Sequence, residues 1–208
     1  MRILSFFVSI LWMIHFGYAQ DFSPMKDIPS FKTKLKENAA SLQSLQADFV
    51  QKKFLSFTDK PIQSSGKFYY KKEQNIRWET ISPNKNIVVI TQSYMKIFDG
   101  KKTQMFDPNS NKMFSQMNDI MMAAVNGDLP SEKNYKFRFL ESSTSYKVIL
   151  FPLNKVLKEF LKEIHITFDK EKLDITQLKL VEPGDDYTIS DFKNRVTNSV
   201  LNAKLFDL

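Results

Sequence analysis

Residues 65–91 read SGKFYYKKEQNIRWETISPNKNIVVIT, and their side chains change character at every second position. Gly66, Phe68 and Tyr70 alternate with Lys67, Tyr69 and Lys71. After a polar break, Ile76, Trp78 and Thr80 alternate with Asn75, Arg77 and Glu79. A period of two puts successive side chains on opposite faces, so these are two strands with an apolar face and a polar face. Ile87 to Thr91 is β-branched and apolar, which predicts a strand covered on both faces. Asp99-Gly100 between Tyr94–Phe98 and Thr103–Phe106 marks a hairpin, and Asp107-Pro108-Asn109 marks the next turn.

Outward from this block the period changes. Upstream, Ser30 follows Pro29 and predicts the cap of an amphipathic helix over 30–46, with the stripe Phe31, Leu35, Ala39, Leu42 and Leu45. Downstream, Met117, Ile120, Met121, Ala124 and Val125 have helical spacing, and Gly127 sits at the expected stop. Strands resume at Tyr135–Phe139 and Tyr146–Phe151. Asn154 to Glu163 has helical spacing at Val156, Leu157, Phe160 and Leu161. Ile164, Ile166 and Phe168 alternate again, as do Leu178 and Leu180. Pro183-Gly184-Asp185 then turns into a last strand from Tyr187 to about Lys193. The linkers are too short for a second domain. The reading is α+β: one large antiparallel sheet, curled, with two or three short helices against a face.

The chain opens with Met1-Arg2, an apolar run from Ile3 to Phe16, and Gly17-Tyr18-Ala19, the layout of a secretory signal peptide over 1–19. The expected exported domain is 20–208, and no second apolar run approaches the roughly 20 residues of a membrane span. Of 208 residues, 42% are hydrophobic and 25% charged, which excludes wholesale disorder. The absence of cysteine excludes disulfides, thiolate chemistry and a lipidated cysteine of its own.

Of two histidines, His15 falls in the leader, and His165 lies between Ile164 and Ile166 and should face outward. With no nucleophile motif and no calcium loop, the expectation is no catalytic residue, no metal site and no cofactor. The Asp185-Asp186 doublet reads as turn chemistry. The net charge of +7 is spread along strand faces, so it describes a solvated surface and not a nucleic-acid stripe. What stands out is 19 Phe and 9 Met, five of the methionines between 105 and 122. Methionine fills irregular gaps where a helix docks on a sheet, and it also suits a surface that re-packs around apolar ligands.

At SLQADFVQKK the chain begins to resemble the LolA family of periplasmic outer-membrane lipoprotein carriers. The resemblance continues through SGKFYYKKEQNIRWETISPNKNIVVI and DGKKTQMFDPNSNKMF to DFKNRVTNSVLNAKLF, in family order over about 40–206. It implies an incomplete (unclosed) antiparallel β-barrel of eleven strands, with an α-helical lid over a hydrophobic cavity. It implies no enzyme activity. The function implied is a monomeric carrier of lipoprotein acyl chains. Its partners would be acylated lipoproteins, an inner-membrane lipoprotein-releasing ABC transporter and an outer-membrane acceptor. A carrier of another exported lipid or pigment ester, or a lipid-sensing regulatory protein of the same fold, is the alternative.

Matched to the family, the cavity positions are Phe49, Phe68, Tyr70, Ile76 and Trp78 on strands. Met117, Ile120, Met121 and Val125 map to the lid, and Leu35, Leu42 and Leu45 come from the first helix. The family's gating basic residue aligns with Lys72, and Arg77 is the nearby alternative. Between Trp78 and Asp99 the chain carries more strand-like sequence than the compact family pattern.

Overall fold

The computed structural model describes residues 21–73, 75–107, 120–123, 125 and 129–208. Twelve antiparallel strands form one sheet: β1 (Ser23–Pro24), β2 (Ser44–Phe54), β3 (Ile62–Lys71), β4 (Asn75–Ser82), β5 (Asn86–Ile90), β6 (Met95–Phe98), β7 (Thr103–Phe106), β8 (Tyr135–Glu141), β9 (Ser145–Pro152), β10 (Glu163–Asp169), β11 (Ile175–Val181) and β12 (Tyr187–Thr197). Their order is β1-β8-β9-β10-β11-β12-β2-β3-β4-β5-β6-β7, so β1 and β7 are edges that do not pair with each other. The barrel is unclosed. The count exceeds the eleven that the family pattern implies; the smallest strand, the two-residue β1, forms within the N-terminal stretch before the first helix.

Among the described residues three helical pieces accompany the sheet: α1 (Ile28–Ala40), α2 (residues 120–123 and 125) and α3 (Lys155–Lys158), with a 3-10 turn at Ala203–Phe206. The leader 1–19, Met117 and Gly127, and the Pro108-Asn109 turn lie outside the described residues.

α1 is shorter and earlier than its apolar stripe predicts. Asp27, not Ser30, is the cap, its carboxylate accepting the Ser30 N–H at 2.9 Å. The helix stops at Ala40 because the next residues are held elsewhere. Asn198 accepts the Gln43 N–H at 2.8 Å, and the Gln43 carbonyl accepts the Lys72 N–H at 2.8 Å. Leu45 therefore belongs to β2, opposite Tyr70. Leu42 and Leu45 continue a helical spacing, but Leu45, Ala47 and Phe49 also satisfy a period of two, and the tertiary bonds decide. The helix expected over Asn154 to Glu163 shrinks likewise, to α3. The Lys162 N–H goes to the Val181 carbonyl at 2.7 Å, which draws the chain into β10 and leaves Phe160 exposed.

The β6–β7 hairpin forms at Asp99-Gly100, where Gly100 has φ +95° and the Asp99 carboxylate accepts the N–H groups of Lys101 and Lys102, both at 2.9 Å. β5 is covered on both faces, as its β-branched run predicts. Val88 and Ile90 face the inner core, while Ile87 and Val89 are buried outside under Phe206, Leu201 and Leu205.

The inner core has two lobes. Under α1, Phe31 and Leu35 pack on β8–β11 with Val148, Leu150, Ile164, Ile166 and Phe168, and the Phe31 ring lies 4.8 Å from Tyr146 and 5.9 Å from Phe168. On β2–β6, Leu45, Phe49, Phe68, Tyr70, Ile76, Ile90 and Met95 form the second lobe. Gly66 is required here. It sits opposite Phe49, and a Cβ on it would overlap the Glu79 carbonyl and approach Phe49 Cζ to 2.8 Å. Gly66→Ala is expected to cost about 3 kcal/mol, from displaced backbone and ring. Urea unfolding measures it, and a loss under about 0.5 kcal/mol would show that the Glu79 backbone and the Phe49 ring both give way.

Candidate functional site

The second lobe is an aromatic floor. Trp78 lies 4.6 Å from Phe49, 5.7 Å from Phe68 and 5.8 Å from Phe192, ring centre to ring centre, mostly edge to face. Rings in such arrangements bury large apolar areas and attract one another beyond that burial. Period-two alternation aims all four inward: Phe49 pairs with Gly66 and Phe192 across β2, and Phe68 pairs with Trp78 across β3–β4.

α2 covers this floor. Met122 and Val125 pack on the β2–β6 lobe, Ile120 and Ala123 are fully buried in the α1 lobe, and Met121 touches both. Between floor and helix runs an apolar seam lined by Leu45, Ala47, Phe68, Met121, Val125, Ile175, Leu178 and Phe192, with a void of about 10 Å³. That holds about one water, so a larger apolar ligand enters this seam only if the side chains lining it move. At one end the seam meets a polar cleft of about 300 Å³, lined by Asn38, Ser41, Leu42, Asp174, Thr197 and Asn198 among others. Val125, Ile175 and Arg195 line both.

Residues 40–208 match the family described as "Outer membrane lipoprotein carrier protein LolA". The chain belongs to the LolA family. An outer-membrane lipoprotein carrier protein of Coxiella burnetii is 25% identical over 176 residues, covering 84% of this chain and 81% of its own. An uncharacterized conserved protein from Thermus thermophilus shares the fold at TM-score 0.52 and 8% identity, over 85% of this chain and 91% of its own. A LolA superfamily protein from Nitrosomonas europaea gives TM-score 0.47 at 9% identity, over 85% and 97%.

The positions that the resemblance assigns to the cavity are distributed as follows. Leu45, Phe49, Phe68, Tyr70 and Ile76 are buried in the β2–β6 lobe, and Leu42, Trp78, Met121 and Val125 pack against it. Leu35 and Ile120 instead belong to the α1 lobe. Met117 lies outside the described residues.

The two basic positions differ. Lys72 is exposed on the β3–β4 turn; its backbone, not its side chain, makes the bonds there, to Gln43 and Asn75. Arg77 is on the other face of β4 from Trp78. Its guanidinium donates from Nε and Nη2 to Glu79 Oε2 at 3.0 and 2.9 Å, and from Nη1 to the Leu205 carbonyl at 2.9 Å. It therefore fastens the C-terminal turn to the sheet's outside, not the LolA lid. His165 is on the outer face as its neighbours predict, half-buried, with Nε2 2.6 Å from Glu163. Burial pulls its pKa below the ordinary value despite Glu163. Among the described residues no His, Asp and Glu cluster could hold a metal ion.

One inner-face cation escaped the sequence reading. β12 carries a bulge between Lys193 and Val196, where Asn194 takes φ +51° and donates to Asp48 at 2.8 Å. The extra residue turns Arg195 inward, where simple alternation would have placed Asn194. Arg195 Nη2 donates to Asp174 at 2.9 Å and Nη1 to the Ile175 carbonyl. Only an Asn, tolerant of positive φ, beside a charged residue hints at this in the sequence.

Arg77→Met should speed hydrogen exchange in residues 201–208 and cost about 1–3 kcal/mol, because Glu79 and the Leu205 carbonyl lose their donor. Exchange mass spectrometry checks it. Faster exchange at 120–125 with 201–208 unchanged would restore Arg77 to the lid.

Proposed function

We propose that the protein is a non-enzymatic periplasmic carrier that holds lipoprotein acyl chains between the aromatic floor and α2. On this reading the leader is cleaved on export. The monomer then takes acylated lipoproteins from an inner-membrane releasing ABC transporter and passes them to an outer-membrane acceptor. The observation that carries it is the largely apolar seam between β2, β3, β11, β12 and the methionine-bearing α2, beside the aromatic floor. Membership of the LolA family and the named relative support the cargo class. Among the described residues no helix is long and apolar enough to cross a membrane.

The physical case starts from the acyl chain. Each buried methylene is worth about 0.8 kcal/mol, so a multiply acylated anchor needs a sheath between membranes. The bilayer competes at the same rate per methylene, so a carrier that gripped the chains tightly would not let go. Contacts between α2 and the floor oppose entry, because cargo must displace Met121, Met122 and Val125 from apolar partners. Methionine suits that task, since its unbranched side chain re-packs with small loss.

Native mass spectrometry of the protein isolated from its own periplasm should show bound diacyl or triacyl species. A preparation persistently free of acylated material overturns the carrier reading.

Lys72 is proposed as the lid gate. Its backbone bonds to Gln43, the neighbour of Leu42, and Leu42 lines the cleft with Val125 of α2. In this role the flexible ammonium would bond orphan carbonyls at a helix end. Lys72→Leu should slow delivery of an acylated lipopeptide to acceptor vesicles about tenfold, the effect of one charged hydrogen bond favouring closure. Delivery at the wild-type rate removes Lys72 from the gate.

A further inference from the structure

Arg195 is a cation in an apolar place. Its side chain is 14% exposed and lines the seam together with Phe68, Met121, Val125, Leu178 and Phe192, and it also lines the polar cleft. It stands where the greasy and polar spaces meet. Two of its three nitrogens are used, Nη2 on Asp174 and Nη1 on the Ile175 carbonyl, and these two bonds fix the plane of the guanidinium. The third, Nε, is buried and has no acceptor among the described residues. A buried donor without a partner is costly, and few are left so in native proteins.

The surroundings say what kind of acceptor is missing. Asp174 already balances the guanidinium charge, so a phosphate arriving at Nε would also meet a carboxylate. A neutral acceptor carries no such penalty. An acyl chain lying along the seam brings one with it: the carbonyl oxygen that joins it to its head. The chain carbons fit the floor, and whatever follows the ester fits the cleft with Asn38, Ser41 and Asn198.

We propose that Arg195 Nε is the donor that bonds the ester carbonyl of a bound acyl chain and so sets how deep the chain sits. The bulge exists to aim it: Asn194, turned outward and held by Asp48, is what lets Arg195 point in. This rests on the carrier reading, and it adds a polar recognition point to a cavity otherwise defined by apolar side chains.

The test compares 1,2-dioctanoylglycerol, which has two ester carbonyls, with 1,2-dioctylglycerol, its ether analogue with none. Binding is titrated by the emission of Trp78, which lies in the floor. Wild-type protein should bind the ester about tenfold more tightly, the effect of one hydrogen bond to a charged donor. Arg195→Met should bind both probes equally, the ester preference being lost whatever the change in overall affinity. Arg195→Lys keeps an ammonium for Asp174 and should also lose the preference, because it has no Nε donor in a fixed plane. Equal binding of the two probes by wild-type protein overturns the assignment while leaving the carrier reading standing. Retention of the ester preference by both variants overturns it too. Failure of both probes to bind wild-type protein overturns both readings together.

Discussion

A sheet that curls without closing cannot bury its own inner face. Closure would let opposing strands fill the barrel with side chains from every side. Here β1 and β7 remain apart, so the concave surface needs helices to cover it. α1 covers the β8–β11 half, and α2 spans both halves through Ile120, Met121 and Val125. The dependence is asymmetric. α1 is anchored by the fully buried Phe31 and by the Asn198 and Lys72 bonds that fix its exit. α2 touches the β2–β6 floor through methionine and valine side chains that are only partly buried. An opening built into this fold would come at α2, where the least is lost by moving.

The outer face solves a different problem. β5 is apolar on both sides, and an uncovered apolar patch on the sheet's outer face would invite association with other chains. The C-terminal segment prevents this by lying across β3–β6 from outside. Phe206 seats on Ile87 and Val89, the Tyr94 hydroxyl donates to the Phe206 carbonyl at 3.0 Å, and Arg77 holds Leu205. The same sheet therefore carries a fastened cover on one face and a loose one on the other. The arginine that looked like a gate belongs to the fastened side.

Much of this was legible. Strands β3 to β7 follow from alternation and from the Asp99-Gly100 turn, because period-two burial and hairpin chemistry are local. The two-sided burial of β5 follows from its β-branched run, although nothing local says that residues 201–208 supply the cover. The end of α1 was not legible: Leu42 and Leu45 fit both periods, and the choice is made by Asn198, which meets Gln43 from 155 positions away. Arg195 was hidden for a related reason. A bulge shifts facing by one residue, so every alternation argument downstream of Lys193 gives the wrong side, and the determinant is a contact between Asn194 and Asp48 on a neighbouring strand.

On the proposed carrier function, charge inside an apolar cavity answers one of two obligations that can be set side by side. Affinity built only from methylenes grows with chain length at the rate the bilayer also offers, so it cannot tell one end of a lipid from the other. A polar contact at a fixed point does not scale with chain length, and it is replaced by water or headgroup contacts once the chain leaves. Arg195 is placed to make such a contact at the junction of seam and cleft, neutralised by Asp174 so that it attracts dipoles more than ions. On that reading the methionines of α2 would adapt to the chain, while the guanidinium, fixed by two bonds, would register its head. Loose packing and one rigid donor together permit a grip that is specific in position without being excessive in strength.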